Sequence, residues 1–248
     1  MKILHVIFSC NRLRYLFPTL NSLDNLDYGN HQVDRLIIDD YPRTRNDAIF
    51  DLIGKHYNFK LILNKENKGL SVNWSDFFDY LKETDYDYIL HQEDDVVLME
   101  RIRIDDIIDC LESDEKIASV VLQRQPWYFH EKPSTIESDD TQFRQYYYSK
   151  TNKVFPILFS LYRKNVINYP FREYWGFNIN EGMIMVYLDY FHQMYSVNLK
   201  NQQGGNIINH IGEESTGKRI LQGEPNWEQF AHMDPDKVYT SREGRLVE

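Results

Sequence analysis

Ile89-Leu90-His91-Gln92-Glu93-Asp94-Asp95 joins the end of an apolar run, Tyr86 to Leu90, to three adjacent carboxylates. The run is the length of a buried strand. The acids stand where that strand would leave a sheet. An acidic triplet in isolation is a solvated turn, but its place here carries more weight. Open α/β sheets bind ligands beyond the carboxyl ends of their strands. Neighbouring carboxylates repel and raise one another's pKa unless a cation neutralises them. Hard oxygen donors suit Mg²⁺ or Mn²⁺, ions that bridge readily to a diphosphate.

Outward from this stretch, strand and helix patterns alternate. Leu4 to Phe8 reads as a first buried strand, and Leu13, Leu16, Phe17, Leu20 and Leu23 recur at helical spacing, with a regular helix starting near Pro18. Val33 and Leu36-Ile37-Ile38 form a second strand ending at Asp39-Asp40, and Phe59 to Leu63 a third. Trp74, Phe77, Phe78 and Leu81 lie on one helix face, with Ser71 as its expected N-cap. Beyond the acids, Ile104, Ile107, Ile108 and Leu111 make a further amphipathic helix and Ile117 to Leu122 a further strand. Such alternation predicts an α/β fold with a mostly parallel sheet flanked by helices. The second half is less regular. Residues 123–153 read as a functional loop region or flap, Ile157 to Tyr162 as a strand, and Met183 to Met194 as a helix; Gly and Pro punctuate the chain after Gly217.

Composition narrows the class. The 248 residues suit one domain, or one with a small appendage, and 42% hydrophobic against 27% charged residues excludes a wholly disordered chain. No apolar run approaches the roughly 20 residues of a membrane span. The N-terminus reads as a strand and not as a signal peptide. Cys10 and Cys110 show no motif spacing, which argues against a disulfide framework and fits a reducing, cytoplasmic setting. A net charge of −10 disfavours nonspecific attraction to nucleic acid or anionic lipid but leaves room for a local basic groove.

Other candidate positions surround the acidic stretch. Asp39-Asp40 ends a strand, where a carboxylate accepts from a base N–H or a ribose hydroxyl, or simply holds a turn. Asn64-Lys65-Glu66-Asn67-Lys68-Gly69 leads into a helix whose N-terminus favours anions. His210 follows Asn206-Ile207-Ile208-Asn209, with Ser215, Thr216, Lys218 and Arg219 downstream. Histidine completes carboxylate metal sites, and hydroxyls with cations hold phosphates. Walker-A, G-x-G-x-x-G, H-E-x-x-H and G-x-S-x-G motifs are absent from the sequence.

Phe8-Ser9-Cys10-Asn11-Arg12 with Leu16, Leu20 and Ser22-Leu23, Ile38-Asp39-Asp40, Asn64 with Asn67 to Ser71 and Asn73, the Glu93-Asp94-Asp95 stretch, Trp175-Gly176-Phe177 leading to Glu181, and His210 occur in this order. Together they resemble the GT-A-fold nucleotide-sugar glycosyltransferases, especially those of the family 2 type, from about residue 3 to about 220. The resemblance implies a GT-A (Rossmann-like) domain over 1–220. Its nucleotide-sugar half would be 1–122 and its acceptor half 123–220, with 221–248 a tail or lid. It implies transfer of a sugar from a nucleoside diphosphate sugar, a UDP-sugar by preference, to a hydroxyl acceptor with inversion. Asp95 would be the ligand of Mn²⁺ or Mg²⁺, with His210 completing the site. Asp94 would stand nearer the donor ribose or sugar, and Glu93 in support. Ser9, Asn11, Arg12, Asp39, Asp40, Lys68 and Lys218 would surround the donor. Glu181 would be the general base, with Glu173 in reserve.

Three alternatives stay open. A sugar nucleotidyltransferase would carry an N-terminal Gly-rich loop, and Phe8 to Arg14 contains no glycine. A non-catalytic binding module would not need acids at both strand ends and His210. Scarce alanine with plentiful Asn, Ile, Tyr and Lys hints at an AT-rich genome, bacterial or viral. That brings in a phage-type enzyme acting on hydroxymethylated DNA bases. Its basic, aromatic groove would be drawn from Arg124, Trp127, Tyr128, His130, Lys132, Arg144, Lys150 and Lys153, a segment that also carries Glu131, Glu137, Asp139 and Asp140. The net charge favours a saccharide acceptor.

Overall fold

A computed structural model describes residues 1–41, 43, 45–125, 137–151, 158–168 and 181–212, leaving aside the side chains of 124, 125 and 181–183. In chain order the elements are β1 (Lys2–Ser9), α1 (Leu13–Asn21), β2 (Leu26–Asp27), β3 (Gln32–Asp39), α2 (Asp47–Tyr57), β4 (Lys60–Leu63), α3 (Leu70–Lys82), β5 (Tyr88–Glu93), β6 (Val96–Leu98), β7 (Ile102–Arg103), α4 (Ile104–Glu112), β8 (Ile117–Leu122), β9 (Arg124–Gln125), β10 (Thr141–Phe143), β11 (Tyr146–Thr151), β12 (Phe159–Arg163), α5 (Glu181–His192), β13 (Tyr195–Lys200) and β14 (Ile208–His210).

A nine-stranded sheet runs β10-β11-β13-β8-β12-β5-β1-β3-β4. Strands β4, β3, β1 and β5 are mutually parallel, as are β8 and β13, while β12 runs against both its neighbours β5 and β8. The fold is the expected mixed, mostly parallel α/β arrangement. Alternation along β1 explains the layering. Leu4, Val6 and Phe8 pack with Trp74, Phe77 and Phe78 of α3 and with Ile184 and Leu188 of α5. Ile7, on the opposite face, packs with Leu16, Phe17 and Leu20 of α1 and Phe50 and Ile53 of α2. Further along that face, Leu90, Val120, Leu161 and Val197 meet Ile104, Ile107, Ile108 and Leu111 of α4. Each of these buried side chains contributes on the order of 1.5–3 kcal/mol of transfer free energy.

Four local expectations change. The first helix begins at Leu13 and carries Pro18 inside it; the apolar stripe from Leu13 to Leu20 outweighs the hydrogen bond that proline removes. The cap of α3 is Gly69 and not Ser71. Gly69 sits at φ +78°, a conformation a side chain would strain, with its N–H aimed at a carboxylate. Helix α2 was not anticipated. Its N-cap, Asn46, accepts from the Ala48 N–H, and Asn58 closes it in the left-handed region. Within 123–153, expected as a loop or flap, β10 and β11 extend the main sheet beside β13. Residues 126–136, Lys153, Glu173, Trp175 to Phe177, Lys218 and the expected tail or lid at 221–248 lie outside the described residues. Among the described residues no helix is long and apolar enough to cross a membrane.

Candidate functional site

The parallel register brings the predicted residues to one edge of the sheet. Ser9 pairs with Asp39, and Phe8 with Glu93, so β1, β3 and β5 end side by side. Backbone bonds carry the pairing past the strand ends: Asp40 N–H donates to Ser9 O (3.0 Å), Asn64 N–H to Asp39 O (3.0 Å), and Asp94 N–H to Phe8 O (3.1 Å).

On the β3 side the two aspartates organise loops. Asp39, wholly buried, accepts through Oδ2 from the Asn11 N–H (2.6 Å) and through Oδ1 from the Tyr41 N–H (3.2 Å) and Arg45 Nη1 (3.1 Å). Burial raises its pKa against the pull of these donors. Asn11 takes φ +52°, in the left-handed region that asparagine tolerates better than most residues. Asp40 accepts from Asn64 Nδ2 (2.9 Å), the Lys68 N–H (2.9 Å) and the Gly69 N–H (2.7 Å), fixing the loop that enters α3. The Lys68 ammonium turns outward to Asp76 (2.7 Å).

On the β5 side the three acids part company. Arg12 grips Asp94 with Nε (3.2 Å to Oδ2) and Nη2, the Cys10 N–H donates to Asp94 Oδ2 (3.3 Å), and Thr19 Oγ1 of α1 donates to the Asp94 carbonyl (2.9 Å). Asp94 is fully buried, and burial pushes its pKa up despite Arg12. Asp95 points to β14. That strand pairs antiparallel with β6, His210 opposite Val96, and the Ile211 N–H donates to Asp95 O (2.8 Å). His210 Nε2 thus lies 3.4 Å from Asp95 Oδ2, and Arg12 Nη1 lies 2.9 Å from the same oxygen. Burial opposes the charge of Asp95, but Arg12 and His210 outweigh it and hold its pKa below the usual carboxylate range.

Glu93, Asp95 and His210 present ligand atoms that all lie within 4.8 Å of one another. Two features suit this group to a divalent cation. Among the described residues Asp95 Oδ1 is buried without a hydrogen-bond partner, and a buried carboxylate oxygen left that way is costly. Gly212 stands so close that a β-carbon there would fall 2.0 Å from Asp95 Oδ2, leaving no room for any other residue. The predicted pair Asp95 and His210 is therefore together, and Glu93 is the third member. Gly212 was missed, although its place two residues after a candidate histidine was visible. Arg12, predicted on the donor side, lies against Asp94 and Asp95. Glu181 opens α5; its side chain and Lys218 lie outside the described residues.

No protein-family model matches the chain, and no curated protein matches it by sequence. Solved structures do. S. aureus TarS 1–349 superposes with a TM-score of 0.56 at 12% identity over 84% of this chain. The same protein in complex with UDP-GlcNAc gives 0.56 and 12% over 87%. The mannosyltransferase PcManGT from Pyrobaculum calidifontis, in complex with GDP-Man and Mn²⁺, gives 0.56 and 11% over 89%. At such identities the likeness is one of fold. The chain spans about 60% of the length of TarS 1–349 and of PcManGT.

Proposed function

We propose that this chain is a metal-dependent glycosyltransferase that moves a sugar from a nucleoside diphosphate sugar to a hydroxyl acceptor. The observation that carries this reading is the convergence of Glu93, Asp95 and His210 at the edge where β1, β3 and β5 end. Glu93, Asp95 and His210 would hold Mn²⁺ or Mg²⁺, which when bound supplies positive charge to a departing diphosphate. Asp39 and Asp40 set the Asn11 and Lys68–Gly69 backbones, which with Ser9 would border the nucleotide. The comparison proteins carry UDP-GlcNAc in one case and GDP-Man with Mn²⁺ in the other. The favoured donor is a UDP-sugar, as the family resemblance implies; Asp39 and Asp40 are themselves engaged with the Asn11, Tyr41, Arg45, Asn64, Lys68 and Gly69 donors and would shape the wall of the nucleotide pocket. With Mn²⁺ present, UDP is expected to raise the melting temperature more than GDP, CMP or ADP, and a UDP-sugar to hydrolyse slowly without acceptor. A preference for GDP would change the donor, and the absence of both binding and hydrolysis would remove the transferase reading.

Glu181 is the proposed base of an inverting displacement. The acceptor hydroxyl attacks the anomeric carbon opposite the diphosphate and loses its proton as the new bond forms. A helix N-terminus stabilises the carboxylate that takes it. Glu181→Gln is expected to bind donor and Mn²⁺ as wild type does but to transfer roughly 10²–10⁴-fold more slowly. Wild-type turnover, or a product that keeps the donor's anomeric configuration by NMR, would remove this role.

A saccharide is the favoured acceptor. Within the segment considered for a DNA groove, Arg144 pairs with Asp106 and Asp109, and Lys150 lies over the Tyr195 ring. Both cations are thus engaged within the protein. A screen of oligosaccharides beside hydroxymethylated DNA separates the two readings.

A further inference from the structure

Arg12 and the proposed cation compete for one oxygen. The guanidinium is buried between α1 and the acidic turn and makes two unlike contacts. Toward Asp94 it is anchored: Nε and Nη2 form a fork on the carboxylate, which the Cys10 N–H also holds, while Thr19 fixes the carbonyl of the same residue. Toward Asp95 it offers Nη1 alone, at 2.9 Å from Oδ2. That oxygen is also the one 3.4 Å from His210, within the group of three ligands. A guanidinium donates, never accepts, and does not give up its charge in proteins. It is therefore a permanent competitor for any cation at Asp95, at a range where a buried like charge is strongly felt.

We propose that Arg12 is the built-in counter-ion of the metal site. It occupies Asp95 Oδ2 in the cation-free protein, holds cation affinity down, and makes cation binding depend on a diphosphate that accepts Nη1 in place of Asp95. The anchor on Asp94 keeps the guanidinium in the site whether Nη1 meets Asp95 or a diphosphate oxygen. The diphosphate part of this proposal rests on the glycosyltransferase reading; the competition at Asp95 does not. Because coupling is reciprocal, cation and diphosphate should each tighten the other's binding.

Binding of Mn²⁺, read from the EPR signal of the free ion with and without UDP, tests this. Wild type should bind Mn²⁺ weakly alone and at least about tenfold more tightly with UDP, within the usual range of coupling between sites. Arg12→Gln should bind Mn²⁺ alone about tenfold more tightly than wild type, with the effect of UDP falling below about threefold. Arg12→Lys, which keeps the charge but not the two-pronged contact, should fall between wild type and Arg12→Gln. Since Arg12→Gln leaves Asp94 buried without its partner, the double variant Arg12→Gln/Asp94→Asn is measured beside it and should show the same loss of coupling. If both variants bind Mn²⁺ no more tightly than wild type while Asp95→Asn abolishes binding, the counter-ion role is overturned and the metal site stands. If Asp95→Asn leaves Mn²⁺ binding unchanged, the metal site itself fails and the proposal with it.

Discussion

Asp95→Asn should abolish Mn²⁺ binding and slow sugar transfer on the order of a thousandfold, because a cation at a leaving diphosphate supplies several kcal/mol and about 1.4 kcal/mol is a factor of ten. The change removes the carboxylate that faces both Glu93 and His210 while sparing the bidentate contact between Arg12 and Asp94. The fold should therefore survive, with a circular dichroism spectrum like that of wild type. Excess EDTA should have the same effect on the wild-type protein. Full turnover in EDTA, or an active Asp95→Asn protein, would sink the metal-dependent reading.

Gly212→Ala should approach that loss while keeping every ligand. Its new β-carbon would lie 2.0 Å from Asp95 Oδ2, 2.8 Å from its carboxyl carbon and 3.1 Å from its β-carbon. The obstacle is not a flexible tip. Asp95 is buried, and its carbonyl is tied to the Ile211 N–H. Either the carboxylate turns away or the end of β14 lifts, and each separates Asp95 from His210. The expected result is Mn²⁺ affinity reduced by at least about a hundredfold, a loss of several kcal/mol like that of a removed ligand. Gly69→Ala is the control. A side chain strains its backbone, at φ +78°, more than that of Gly212, yet the added carbon meets nothing within 4 Å, so Mn²⁺ affinity should stay near wild type. Wild-type Mn²⁺ affinity in Gly212→Ala would show that the site does not need the close approach.

The parts of this fold that carry long, periodic apolar patterns could be read from the sequence, and so could the strand ends. β8 spans the predicted Ile117–Leu122, and α4 adds one residue to the stripe from Ile104 to Leu111. Asp39, Asp95 and His210 announced themselves as polar residues closing apolar runs. Other features left no such trace. Helix α2 breaks its stripe with Gly54 and exposes Leu52. β6, β9 and β14 are two or three residues each, too short for any period to register. Yet these short strands set His210 beside Asp95. The division of labour among adjacent acids was hidden for a different reason. Glu93, Asp94 and Asp95 differ in role because Arg12, more than eighty positions earlier, claims the middle one. Pairing of that kind is decided by the tertiary structure and not by local pattern.

The order of strands in the main sheet also sets an order of events in time. β1 lies between β3 and β5 and takes both these partners from the first hundred residues. β12, which borders β5 on its other side, is made some seventy residues later. During synthesis the amino-terminal strands can pair and bring Arg12 against Asp94 and Asp95 while the rest of the chain is still being made. His210 arrives after every strand of the main sheet has been synthesised. Arg12 is thus in place to neutralise Asp94 and Asp95 in any intermediate that pairs β1 with β5 before His210 is made.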